Sequence, residues 1–259
     1  NRRRGVIPFA FSPRGDAVFI GATPERLFKI NGRDLETHAL AGTRLSGATA
    51  GERDRLREEL TSDPKEAYEH ELVSTDLVER LSDVLSDLRI HPRRVKSLHH
   101  LQHLETRISG QLPIGFDLIE LVDRLHPTPA LGGRPRQTAL PLLEAIEPWE
   151  RGCYGAPWMW SSLTDRTHAY VGIRAALLRA GAATLFAGAG VVADSSAEAE
   201  WQETASKFLS ASSALRSTPL IEPLSTSEAA LSVEQEVESR PLIEDRATHS
   251  LSVAIELMK

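Results

Sequence analysis

Two hydrophobic periods alternate along the chain. Val6 to Ala10 and Ala17 to Gly21 are short β-branched or aromatic runs on either side of Ser12-Pro13-Arg14-Gly15, a hairpin signal. Leu27 to Ile30 continues the extended pattern as far as Asn31-Gly32, a pair that predicts a type I′ turn. At Asp63 the period lengthens. Asp63 at the N-cap, Pro64 at the first helical position and Glu66 three after the cap open a helix. Leu72, Leu77, Val78 and Leu81 carry it to about Leu88, before His91-Pro92. Leu104, Thr106 and Ile108 then alternate in a strand that carries His103. Phe116 to Leu125 and Arg136 to Ile146 read as helices, and Arg151 to Trp160 joins a turn to a strand. Ala169 to Arg174 predicts a strand with Arg174 at its end, and Ala176 to Arg179 and Thr184 to Gly188 look like its antiparallel neighbours.

The last periodic stretch is Phe186 to Lys207, FAGAGVVADSSAEAEWQETASK. It reads as a strand end, a tight turn at Gly188 and Gly190, the apolar run Val191 to Ala193, and a helix. Ser195 is placed to cap that helix, with Glu198 completing a capping box. Glu200, Glu203 and Lys207 project from one face at spacings of three and four. Two carboxylates aimed at a glycine-lined approach suit a metal site that receives an anion. A solvated helix with a Glu203–Lys207 ion pair accounts for the same residues. Glu66 and Glu69 form a second pair on one face of the earlier helix, where the macrodipole favours carboxylates in any case.

Other candidate chemistry is scattered. Glu25 follows Pro24 at the start of a strand, where a carboxyl can be held rigidly, and a surface pairing with Arg26 or Lys29 is the alternative. Ala41, Gly42 and Thr43 are small enough to let a ligand approach the main chain, or to bend a strand. His99, His100 and His103 invite a zinc reading, but Cys153 is distant and no further ligand has metal spacing, so His103 is read as a single functional or hydrogen-bonded histidine. His126 to Pro135 holds three prolines and two glycines, a constrained loop of the kind that carries function.

Composition narrows the class. The 259 residues include 41% hydrophobic ones, enough for a real core. A net charge of −6 argues against a nucleic-acid partner. One cysteine excludes an internal disulfide framework and suits a reducing, cytoplasmic setting; no apolar run approaches a membrane span. The opening NRRRG, without an initiator Met, suggests a fragment or processed chain. From Ser217 the chain turns rich in Ser, Thr, Glu and Pro, so 217–259 is expected to be a linker or extra segment outside a 1–216 catalytic domain.

In chain order, GATPERL, LAGTR, DPKEAYEHELV, LHPTPALGGRPR, ERGCYG, AYVGIR and FAGAGVVADSSAEAEWQETASK together resemble the chorismate-utilising enzymes, and within them isochorismate synthases of the menaquinone and siderophore type. The resemblance runs from about Ala17 to Ser213. It implies an α+β fold of two large antiparallel sheets packed face to face with helices outside, only part of which fits in this chain. It implies Mg²⁺ held by Glu69 and Glu203, with Glu66 and Glu200 in the same shell directly or through water. Chorismate is the implied substrate: Arg174 and Tyr154 would bind its enolpyruvyl carboxylate, with Gly188, Gly190 and Lys207 alongside. Glu25 would be the general acid that protonates the departing C4 hydroxyl, which requires a raised pKa. His103 and Thr43 would line the pocket.

Two departures accompany the resemblance. The family's general base is a lysine upstream of GATPERL, which this chain begins too late to contain; neither Lys29 nor Lys65 matches it. A chain without it is expected to bind Mg²⁺ and chorismate better than it turns chorismate over. Met159 stands where the family carries glycine and is expected to alter the pocket wall near Tyr154. A salicylate synthase, or a non-catalytic chorismate-binding module, are the other readings left open.

Overall fold

The computed structural model describes residues 6–12, 15–98, 101–162 and 165–216. His99, His100 and the 217–259 segment lie outside them.

Two antiparallel sheets carry the described chain. In the smaller, the order is β1 (Ile7–Phe11), β2 (Ala17–Thr23), β10 (Ala175–Arg179), β11 (Ala182–Phe186). The larger has seven strands: β5 (Ser86–Ile90), β7 (Leu101–Gln111), β4 (Asp34–Leu45), β3 (Arg26–Asn31), β9 (Arg166–Val171) and β8 (Pro157–Ser161), with β6 (Arg94–Leu98) also paired to β7. The predicted first hairpin forms, with Ile7 opposite Thr23. The next turn is displaced from its prediction. Asn31 stays in the ladder opposite Asp34, so Gly32-Arg33 is the two-residue loop. Gly32 alone is left-handed (φ 61°), which fits glycine at the first central position of a II′ turn rather than the I′ geometry of Asn31-Gly32.

Alternation in β4 decides which face of the large sheet is dry. Leu35, Thr37, Ala39 and Ala41 are buried on one side, while Glu36 and His38 take the other. Against the dry face lies α2 (Pro64–Leu81), whose Val73, Leu77 and Leu81 recur every fourth residue and join Leu27, Phe28, Ile108 and Leu121 in one core. Asp63 caps it, its carboxylate accepting from the Lys65 and Glu66 amides. The helix stops at Leu81 rather than near Leu88, because Ser86 to Ile90 pair with β7 instead. Gly110 permits this reversal: a Cβ there would sit 2.9 Å from the Ser86 carbonyl oxygen. The remaining helices are α1 (Ala50–Ser62), α3 (Leu118–Leu125), the single turn α4 (Pro129–Gly132), α5 (Arg136–Ile146) and α6 (Ala197–Arg216). Among the described residues, no helix is long and apolar enough to cross a membrane.

On the opposite side of the large sheet, Trp158 meets Phe9, Phe11 and Phe19 of the small one, with ring centroids 5.0 to 6.2 Å apart. The predicted pairing of Ala169 to Arg174 with the two following strands is not what forms. β9 pairs with β3 and β8, whereas β10 pairs with β2 and β11 in the other sheet. The chain therefore changes sheet at Gly172-Ile173-Arg174, and it also changes sheet between β2 and β3, at Pro24-Glu25. These crossovers run side by side: the Val171 amide donates to the Glu25 carbonyl (3.1 Å) and the Ala22 amide to the Arg174 carbonyl (3.2 Å). Neither Glu25 nor Arg174 lies within a strand, and both sit on the seam between the sheets.

Candidate active site

The seam gathers the residues that the sequence scattered. Glu25 is desolvated there, which pushes its carboxyl up to about 7 against the pull of Lys207, Arg174 and Lys96. A carboxyl in that range is a competent proton donor near neutral pH. Arg174 has a left-handed backbone (φ 54°), an arrangement costing on the order of 1 kcal/mol for a residue with a Cβ. Desolvation lowers its pKa from the usual value, while Glu203, Tyr154 and Glu25 favour its charge. Its guanidinium makes no hydrogen bond or ion pair among the described residues. Tyr154 stacks on Phe186 (5.3 Å, 16°), and burial pushes its hydroxyl up to about 12, so it remains a donor.

Thr43 and His103 are set by one irregularity. The β4–β7 register slips between Ala41 and Thr43, a bulge made by Gly42 at φ 75°. A Cβ on Gly42 would lie 3.2 Å from both the Glu66 carbonyl and the Glu66 carboxylate. The bulge turns Thr43 so that its amide donates to Glu66 Oε2 (2.8 Å) while its hydroxyl meets His103 Nδ1 (3.2 Å). Burial, then Arg174 and Lys207, push His103 down to about 3, so the ring is neutral. Its Nε2 is buried and has no partner.

The two carboxylate pairs meet across α2 and α6. Lys65 lies between them, its ammonium 2.7 Å from Glu200 Oε1 and 3.6 Å from Glu66 Oε1. Glu69 is pushed up to about 8, first by desolvation and then by Glu203 and Glu66. Glu200 is 1% exposed, and its Oε2 has no partner. Glu203 pairs with Lys207 (2.5 Å), whose ammonium also donates to the Gly188 carbonyl (2.6 Å). Among the described residues, no three His, Cys, Asp or Glu side chains are drawn close enough to ligate one ion. The four carboxylates share one neighbourhood in which lysines partly offset their charge.

Several local expectations change. The tight turn expected at Gly188 and Gly190 does not form; the segment is irregular, neither glycine has a positive φ, and both leave room. A Cβ on Gly190 would stand 2.5 Å from Glu69 Oε1, and one on Gly188 3.1 Å from the Tyr154 hydroxyl. The α6 cap is Ser196, which accepts from the Ala199 amide (3.2 Å); Ser195 instead accepts from Val192, closing the preceding loop. Glu198 therefore bonds Gln202 (2.9 Å) rather than a capping amide. Buried Val191 and Val192 anchor that loop. Met159, 38% exposed on edge strand β8, lies on the face opposite Trp158 and its aromatic neighbours.

Two residues were passed over in the sequence. Lys65 was noted only as a poor match for a base, yet it is the counter-ion of the carboxylate cluster, held charged well above its usual value by Glu200 and Glu66 against desolvation. Thr128, inside HPTPALGG, precedes α4 without capping it; its hydroxyl is buried, unpartnered, and close enough to favour the Glu25 carboxylate slightly. A threonine between two prolines, with its helix-capping option unused, was the available signal.

Gly190 gives a direct check. Gly190→Ala displaces only the flexible end of Glu69, so the protein folds with a Tm within about 3 °C of the parent; on the metal role that the resemblance implies for Glu69, Mg²⁺ affinity falls roughly tenfold. Calorimetric titration with MgCl₂ and a thermal melt measure both. Unchanged Mg²⁺ affinity separates Glu69 from the metal.

A two-sheet α+β scaffold thus carries a desolvated acid and an unpaired arginine on its seam, with a carboxylate cluster between α2 and α6. The chain belongs to the chorismate binding enzyme family, whose profile matches residues 1–216. It is 40% identical over 205 residues to the salicylate biosynthesis isochorismate synthase of Pseudomonas aeruginosa, covering 78% of this chain and 43% of that protein. It is 37% identical over 211 residues to isochorismate synthase MenF of Bacillus subtilis, covering 80% and 44%. The structure superposes on MenF, the menaquinone-specific isochorismate synthase from Escherichia coli, with a TM-score of 0.74 at 31% identity, covering 81% of this chain and 49% of that one. The chain thus spans less than half the length of these relatives.

Proposed function

We propose that this chain binds chorismate with Mg²⁺ and carries the acid side of an isochorismate synthase reaction. The observation that supports it is the meeting of Glu66 and Glu69 with Glu200 and Glu203, where desolvation, then Glu203 and Glu66, push Glu69 up to about 8 against the pull of Lys65. The orphaned Glu200 oxygen and an all-carboxylate donor set fit a hard divalent cation. Glu69 and Glu203 would hold Mg²⁺, with Glu66 and Glu200 in the same shell. When bound, the ion neutralises the ring carboxylate of chorismate.

The chain's own residues do the rest. Arg174 offers an unpaired planar fork to the enolpyruvyl carboxylate, and Tyr154 and Lys207 donate beside it. Neutral His103, oriented by Thr43, presents Nε2 to the ring hydroxyl side. Glu25 delivers its proton to the C4 hydroxyl, which leaves as water while water adds at C2 and the ring double bonds shift. The residue that activates the incoming water has no assigned counterpart in residues 1–259.

The test is calorimetric titration with chorismate, with and without Mg²⁺, followed by product analysis. Binding that EDTA abolishes, with isochorismate as any product, is the expected result. Salicylate with pyruvate supports the salicylate synthase reading, and binding without any product supports a binding module. Metal-independent binding, or none, overturns the proposal. Glu25→Gln is expected to leave the chorismate Kd within about threefold while lowering turnover about 100-fold or more. Equal loss in both contradicts its role as acid.

A further inference from the structure

When Glu25 gives up its proton, a carboxylate is created in a desolvated place, and something must stabilise it. Three cations are felt there: Lys207 from α6, Arg174 from the crossover after β9, and Lys96 from β6; Thr128 and Tyr154 are the other polar groups facing it. Lys207 is already committed to Glu203 and the Gly188 carbonyl. On the proposed function, Arg174 is committed to a substrate carboxylate. Lys96 has neither obligation.

Its placement is built rather than incidental. In the β6–β7 ladder Lys96 lies directly opposite His103, so the two side chains rise from the same face of the sheet. Two residues along β7 on that face, Glu105 is 1% exposed and lies 2.9 Å from the Lys96 ammonium. Glu105 is not neutralised by Lys96 alone. Arg94 Nη2 is 2.6 Å from it, Arg94 Nε donates to it at 2.7 Å, and His38 Nδ1 lies 3.1 Å away. Together these hold the Glu105 carboxyl far below the usual range despite its burial. A carboxylate shared this way fixes the Lys96 ammonium in space and leaves part of its charge uncompensated.

The geometry points to Lys96 as a positioning residue: a cation pinned by Glu105 beside His103 that supplies the counter-charge for the Glu25 carboxylate formed in proton transfer. This role rests on the proposed function. In the step, the Glu25 O–H bond breaks with its electrons left on the carboxylate. The proton goes to the C4 hydroxyl oxygen as the C4–O bond breaks, and the water lost is matched by the water added at C2. Lys96 forms and breaks no bond.

The experiment is a ¹³C NMR titration of the full chain labelled at the glutamate side-chain carboxyls, with the Glu25 signal identified by its absence in Glu25→Gln. In the parent protein the Glu25 midpoint is expected at about 7, where burial pushes it. In Lys96→Met its midpoint rises by roughly 0.5 pH or more; Lys96→Arg restores the parent value. Lys29→Met, which removes a cation paired with Glu36 on the same sheet, leaves it unchanged. Chorismate affinity in Lys96→Met stays within about threefold of the parent, with any turnover lowered more than binding. A Glu25 midpoint in Lys96→Met equal to the parent's, or an equal rise in Lys29→Met, overturns the assignment. Failure of the parent protein to bind chorismate would instead sink the proposed function while leaving the titration result intact.

Discussion

Glu69→Gln melts higher than the parent at pH 8 in the absence of divalent metal, and loses the rise in Tm that Mg²⁺ gives the parent. Glu69 is pushed up to about 8 in the fold from an ordinary value near 4.5, because it is desolvated among Glu203, Glu66 and Glu200. For an acid the sign is unfavourable. Below about pH 4.5 the group is protonated folded or unfolded, and it costs nothing. Through the interval from 4.5 to 8 the unfolded chain ionises it more readily, so stability falls, and above 8 the loss is complete. The glutamine removes a penalty on the order of 3 kcal/mol, a Tm gain of roughly 5–10 °C. On the proposed function, a divalent cation removes the same penalty in the parent by favouring the carboxylate. The contrast is read from melts at pH 4 and pH 8 with MgCl₂ or EDTA. Equal Tm values for variant and parent at pH 8 in EDTA would show that the Glu69 carboxylate is penalised neither by desolvation nor by its neighbouring glutamates.

Arg174→Gly raises the chorismate Kd about 100-fold without lowering the melting temperature. Two physical effects part company at this residue. The guanidinium is partly desolvated and unpaired, an arrangement that stabilises nothing until an anion arrives. The backbone at φ 54° is strained for any residue with a Cβ and unstrained for glycine. Removing the side chain therefore relieves strain while deleting a charge-assisted contact. Arg174→Lys should recover only part of the affinity, because an ammonium lacks the planar fork. Calorimetric titration in excess Mg²⁺, alongside a melt, measures both. A variant that binds like the parent would remove Arg174 from the pocket.

Much of this was legible before any coordinates, for reasons that differ by residue. Asp63, Pro64 and Glu66 mark the start of α2 because capping chemistry is local: the amides to be satisfied belong to residues two and three along the chain. The first hairpin followed from β-branched runs about a turn. Where readings slipped, a long-range contact overrode a local preference. Leu85 and Leu88 kept the helical period, but β7 offered Ser86 to Ile90 a ladder. Ser195 and Ser196 are equivalent as cap candidates until the Val192 amide takes one of them.

The sequence by itself determined which side chains were present to do chemistry and how each lay along its own element: two glutamates on one face of each of two helices, an acid after a proline, an arginine at the end of an extended run. Spacing of three and four on a helix and two on a strand is a property of the backbone, so it can be read from letters alone. Only the tertiary structure decided that the chain leaves one sheet for the other at both Glu25 and Arg174, and that α2 and α6 face each other across Lys65. Those outcomes depend on strand pairing between segments some 150 residues apart, where burial of the whole core and not any local preference selects the partner.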